Sequence, residues 1–238
     1  MNNLLWTGGW DSTFRLLQLL LIKKQIVQPY YIIDENRKST SKEIETIRKI
    51  KEALFKKYPQ TKKLIKPTIY FGKSDLEPNQ KIFDQYENLR KKQFFGTQYI
   101  WLAQFANQLK INGLELSIHK DDKAKKIIEK NVIKKISKSG NYYCLKNNPK
   151  KPNLKLFKNF RFPLFNLTKV DMRNTAKEHG FLNLMRMTWF CHKPTKSGKP
   201  CGVCGPCQYA MQEGMQKRLP KVSRLKYHKN KIKNKIKK

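Results

Sequence analysis

The chain has 238 residues, 39% of them hydrophobic, enough for one substantial core and too few for a second large domain. No apolar run is long enough to span a bilayer, and the N-terminus enters a strand without the basic, apolar and small-residue pattern of a signal peptide, so a cytoplasmic protein is expected. The net charge of +35 is lysine-dominated and spread along the chain, which reads as a solvated surface with weak, salt-sensitive adsorption to RNA or DNA rather than a specific nucleic-acid reader.

The first element sets the organisation. Leu4, Leu5 and Trp6 read as the end of a buried strand, Gly8 and Gly9 as a tight turn, and Asp11, Ser12 and Thr13 as the first turn of a helix carried by Phe14, Leu16, Leu17, Leu19 and Leu20. Free N–H groups at such a helix start, with the Ser12 and Thr13 hydroxyls, suit a bound anion. A carboxylate beside a phosphate repels it unless a divalent ion lies between them, so Asp11 is read as a magnesium ligand. The plain alternative is a strand-turn-helix corner with Ser12 or Thr13 as a cap. No Gly-Lys-Ser/Thr follows, so this is not a Walker A loop.

A continuous apolar strand over 27–33 stops at Asp34, which, with Ile33, would face the same crevice as the glycine loop in a parallel sheet; Asp34 reads equally as a turn residue. A helix over 42–58 is stopped by Pro59. A third strand covers 67–71, a loop 74–79, and a helix 80–92 that ends at Phe94-Phe95-Gly96. The stretch 98–109 is an amphipathic helix whose aromatic stripe belongs to a core. A fourth strand over 113–118 leads to His119 and Asp122, which are substrate contacts or, in the case of Asp122, the cap of a helix over 123–130. Residues 131–158 lose periodicity and read as an insertion or lid on the active-site side. A fifth strand over 160–165 precedes a helix over 168–179, capped by Thr168 and stopped by Gly180. Lys169 in its first turn opposes the helix dipole, and either marks a phosphate contact or is one lysine among many. Alternating strands and helices imply an α/β fold with a parallel sheet.

Cys191, Cys201, Cys204 and Cys207 can close a tetrahedral site on a soft ion, with Gly198, Gly202 and Gly205 for the turns. Structural zinc fits, and an iron–sulfur cluster fits the same ligands. A helix over 206–217 starts within this knuckle, and the lysine-rich tail, 218–238, has too little to bury and is expected to be disordered from 229 on.

Thr7-Gly8-Gly9-Trp10-Asp11-Ser12 resembles the Ser-Gly-Gly-x-Asp-Ser signature of the PP-loop ATP pyrophosphatases, with Thr7 keeping the hydroxyl. Together with Phe162-Pro163-Leu164 before the Thr168-Lys169 helix, and Met187-Thr188-Trp189-Phe190-Cys191 leading into the knuckle, it is similar to the 7-cyano-7-deazaguanine synthase family of queuosine biosynthesis over most of its length. The resemblance implies a five-stranded parallel, doubly wound sheet over 1–190, a zinc knuckle and helix over 191–217, and ATP, Mg2+ and Zn2+ as cofactors. It implies activation of a small carboxylate, such as a 7-deazapurine acid, as an acyl-adenylate that ammonia or an amine attacks. Thr7, Gly8, Gly9, Asp11, Ser12, Thr13 and Ile33 would hold the nucleotide, with Asp11, Ser12 and Lys169 in the chemistry. A homodimer is compatible with it. Phe95-Gly96-Thr97-Gln98 replaces the family's Pro-x-Arg-Asn step, and its Tyr-Pro-Asp-Cys-Arg segment is absent around 121–127, so the ATP half of the site transfers further than the acceptor half. The alternatives are a PP-loop tRNA-modifying enzyme, for which Cys144 is the only spare thiol, and a non-catalytic nucleic-acid-binding relative.

Overall fold

A computed structural model describes residues 1–92 and 95–236. Phe94, Lys237 and Lys238, at the expected helix end and in the tail, lie outside the described residues.

Five parallel strands form the centre: β1 (Asn2–Leu5), β2 (Val27–Ile33), β3 (Ile69–Gly72), β4 (Leu114–Glu115) and β7 (Phe160–Phe162), the last numbered after an intervening pair. That pair, β5 (Val132–Lys135) and β6 (Tyr142–Leu145), is a hairpin that joins the edge of β7 antiparallel, giving seven strands in the order β3-β2-β1-β4-β7-β6-β5. The sheet therefore has two strands more than expected. The chain builds outward from β1 to β3 and then returns to the other side of β1, so a switch point lies between β1 and β4, where open α/β sheets place their ligands.

Helices α1 (Trp10–Leu17), α2 (Thr40–Lys57), α6 (Lys169–Glu178) and α7 (Leu182–Arg186) cover one face, around Trp6, Phe14, Tyr31, Ile50 and Phe181. Helices α3 (Gln80–Arg90) and α4 (Gln98–Gln108) cover the other, around Tyr86, Phe95, Tyr99, Phe105 and Phe157. The short α5 (Lys123–Ile128) follows β4, with Asp122 capping it through the Ala124 N–H at 2.8 Å. Helix α8 (Gly205–Gln212) starts in the cysteine loop, and α9 (Lys221–Ile236) follows it.

Two regions differ from the sequence reading. Residues 131–158 are not an irregular lid over the crevice. Leu154, Leu156 and Phe157 sit in the α3/α4 core at 2% exposure or less. The hairpin tip bonds to Asn2 and Arg15 through Ser139, at the start of β1 and so at the sheet end away from the glycine loop. The tail is helical from Lys221 to Ile236, because Ser223 is buried with its hydroxyl on the Pro200 carbonyl at 2.6 Å and Tyr227 packs inward. No helix among the described residues is long and apolar enough to cross a membrane.

Candidate active site and cysteine centre

The loop after β1 is built as a cradle. Gly8 has φ +69°, and a Cβ there would lie 3.3 Å from the Glu43 carbonyl oxygen and from Ile47 of α2, so both conformation and space select glycine. Gly9 is the N-cap of α1 and offers no side chain to the helix end, which leaves the first N–H groups of α1 directed at the crevice. Ser12 closes the loop: its hydroxyl accepts the Thr7 N–H at 3.2 Å and lies 3.1 Å from the Thr7 hydroxyl. Thr13 is placed differently. It is fully buried and its hydroxyl accepts from the Trp6 indole at 3.0 Å, so its side chain secures α1 to β1 instead of facing the crevice.

Asp11 is the centre of a charged cluster that no local sequence window shows. His119, buried at the end of the β4 segment, puts Nε2 3.9 Å from Asp11 Oδ2. Lys169, in the first turn of α6, holds Glu213 at 2.8 Å. Burial raises the Asp11 carboxyl above its ordinary pKa; the fields of Lys169 and His119 oppose this, and those of Asp122 and Glu213 add to it. Burial alone would lower Lys169, but Asp11 and its bonded Glu213 outweigh this and raise it. The Asp11 side chain is 26% exposed, yet its Oδ1 is buried without a hydrogen-bond partner. That unsatisfied oxygen is a hard donor of the kind a divalent cation takes, although among the described residues only the four cysteines gather three or more candidate ligands around one point.

Ile33 ends β2 with its side chain partly buried on the α1/α2 face, while Asp34 is a turn residue: its carbonyl takes the Arg37 N–H and the Thr40 hydroxyl, and its carboxylate takes Lys73 at 3.4 Å. Cys144 lies in β6, separated from β1 by β7 and β4, so it is no nucleophile for the glycine loop. Phe95, in the segment that departs from the family pattern, is 1% exposed and packs on Tyr86, Tyr99 and Phe157.

The four thiol sulfurs of Cys191, Cys201, Cys204 and Cys207 lie within 4.8 Å of one another. Backbone N–H groups of Cys201, Val203 and Cys204 point at the Cys191 and Cys201 sulfurs at 3.2 to 3.5 Å, as thiolate ligands require. Gly202, at φ +85°, passes so close to Ser223 that a Cβ would collide with its carbonyl oxygen. Contact with Cys191 pulls the Cys204 thiol well below its usual range, and the same contact pushes Cys191 up to about 12. Four sulfurs this close cannot all ionise without a cation, and zinc fits them.

The chain matches the family model of Queuosine biosynthesis protein QueC over residues 3–218. It belongs to the QueC family. No curated protein matches it. The QueC family supports a PP-loop, ATP-dependent, 7-cyano-7-deazaguanine synthase-like role, and the matched span holds the glycine loop, the charged cluster and all four cysteines. It ends at Arg218, so α9 lies beyond it. The sequence missed Arg218 and Glu213 as neighbours of the charged cluster beside the glycine loop, because both follow the cysteine loop and only its fold returns them to Lys169 and Trp10. The one local signal for them was the solitary carboxylate of Glu213, the last acidic residue of the chain.

Proposed function

We propose that the chain activates a carboxylate with ATP, releasing pyrophosphate, and passes the acyl-adenylate to ammonia or another amine, with a 7-deazapurine acid as the substrate class. A carboxylate oxygen attacks the α-phosphorus and its bond to the bridging oxygen breaks, so that pyrophosphate leaves with that electron pair. The amine nitrogen then attacks the acyl carbon; a C–N bond forms, AMP leaves, and the amine releases a proton.

The observation that carries this reading is the unpartnered Asp11 Oδ1 at the start of α1, at the switch point of the sheet. The backbone of Gly8 and Gly9, the N–H groups opening α1 and the Ser12 hydroxyl would hold the phosphates. Asp11 would hold Mg2+, which when bound neutralises phosphate charge. Lys169 would offset the negative charge growing on the departing pyrophosphate. Ile33 would lie against the nucleoside from the end of the neighbouring strand. Zinc at the four cysteines has a structural part, since four thiolates leave it no open position.

Pyrophosphate release with ATP, Mg2+, ammonium and a 7-deazapurine carboxylate tests the proposal. Asp11→Ala should lower the rate more than about a hundredfold and ATP affinity far less. Undiminished release, or ADP as the product, would sink it.

A further inference from the structure

The chain leaves the glycine loop at Thr188, where the next residue's N–H bonds to the Gly8 carbonyl at 3.0 Å, and returns to the same place at Arg218. One terminal nitrogen of Arg218 donates to both the carbonyl and the hydroxyl of Thr188, the hydroxyl at 2.9 Å. Its guanidinium lies 4.8 Å from the Phe190 ring centre and 5.5 Å from that of Trp10. Among the described residues no carboxylate pairs with it, and its other two nitrogens have no hydrogen-bond acceptor. Burial brings its pKa down to about 10, with Asp11 opposing, so it stays charged at neutral pH.

Beneath it lies a second unused donor. Trp10 is the first residue of α1 and only 8% exposed, and its indole N–H is buried without a partner. Buried donors are rarely left so, and each costs free energy until an acceptor arrives. A guanidinium fixed through Nη2, with the N–H groups of Nε and Nη1 free, still offers charge-assisted donors to the oxygens of a polyanion. It stands against the first residue of the helix whose N-terminus faces the crevice, and the pyrophosphate half carries most of the charge of ATP.

We infer that Arg218 and the Trp10 indole form an oxyanion subsite for the pyrophosphate half of the nucleotide, a role that rests on reading the crevice as an ATP site. The cysteine loop then has a mechanical part in the site: it closes the thirty-residue excursion that delivers Arg218 to the glycine loop.

Calorimetric titration of the zinc-loaded protein with Mg2+-pyrophosphate and with AMP tests the subsite. Arg218→Gln should weaken pyrophosphate about ten- to a hundredfold and leave AMP unchanged, and Trp10→Phe, which keeps the ring and removes the N–H, should weaken it less. Wild-type binding of pyrophosphate that Arg218→Gln leaves intact overturns the subsite alone. Failure of the wild type to bind pyrophosphate or ATP overturns the ATP-site reading beneath it. A raised KM for the carboxylate with pyrophosphate affinity unchanged would assign the arginine to the acceptor and overturn the inference. Should Arg218→Gln lose its zinc or its fold, phenylglyoxal modification of the wild type decides: pyrophosphate but not AMP should protect Arg218, and equal labelling with and without pyrophosphate counts against it.

Discussion

At the scale of single residues, the crevice holds groups whose burial works against stability and for binding. Asp11 has a folded-state pKa above its ordinary value of 3.8, first because of burial, so the folded chain holds the proton more tightly than the unfolded one. Below pH 3.8 the carboxyl is protonated in both states and costs nothing; as pH rises through the raised value, ionisation destabilises the folded chain. Asp11→Asn should therefore raise the melting temperature of the nucleotide-free protein at neutral pH, with a gain that shrinks to nothing as pH falls below the ordinary carboxylate range, while abolishing pyrophosphate release. A melting temperature that drops at neutral pH would show Asp11 to be structural. Thr13 makes the opposite point: its hydroxyl looked like a phosphate donor, but its position one residue past Ser12 turns it inward to the Trp6 indole.

At the scale of elements, what aligns the glycine loop with β4 is a buried ion pair. Arg15 of α1 binds Glu115 of β4 at 2.7 and 2.8 Å, both side chains 3% exposed, and its third nitrogen reaches Gln18 and the Ser139 carbonyl of the β5–β6 hairpin. Removing one partner strands a charge in the core. Glu115→Ala should lower the unfolding free energy by about 3–5 kcal/mol, measured in a denaturant titration. A drop within the range of a surface substitution would mean that Arg15 finds water or another acceptor. Helix α6 positions Lys169 by a different device, a capping box in which Thr168 and Asp171 bond each other's N–H groups at 2.8 and 3.1 Å, and this one was half legible in the sequence through Thr168.

At the scale of the whole molecule, the cysteine loop and the lysine excess matter most. The cysteine loop has a small core of its own, with Ala210 and Leu219 beside the sulfurs, and its thiolates need a cation to coexist. Metal analysis should find one zinc per chain. Cys204→Ser should lower the melting temperature and, through Arg218, pyrophosphate affinity; a variant that is as stable as wild type in chelator would remove zinc from the fold. The charge of +35 acts at longer range. Deleting 229–238 removes six lysines and leaves the docked Ser223 and Tyr227 in place. It should flatten the salt dependence of RNA adsorption, by about 0.7 in log–log slope for each phosphate that is no longer neutralised, and leave pyrophosphate release unchanged. A deletion that blocks release with a small carboxylate would instead place the end of α9 in the catalytic machinery.

The features legible along the chain are those written in short range. The β1–glycine–α1 cradle, the five parallel strands, the Thr168 cap and the four-cysteine set each follow from hydrophobic period, turn residues or ligand spacing within about twenty positions. Features that depend on contacts across the chain emerge only on folding. Residues 132–145 became sheet because β7 offered an open edge, and Leu154 and Phe157 became core because α3 and α4 left space for them. Lys169, Glu213 and Arg218 became neighbours of Asp11 because α6 packs on α1 and the cysteine loop folds back on Thr188. A lysine or arginine in a chain this basic carries no local mark of its role; what distinguishes these two is burial beside unpaired donors and acceptors, and burial is a property of the folded molecule.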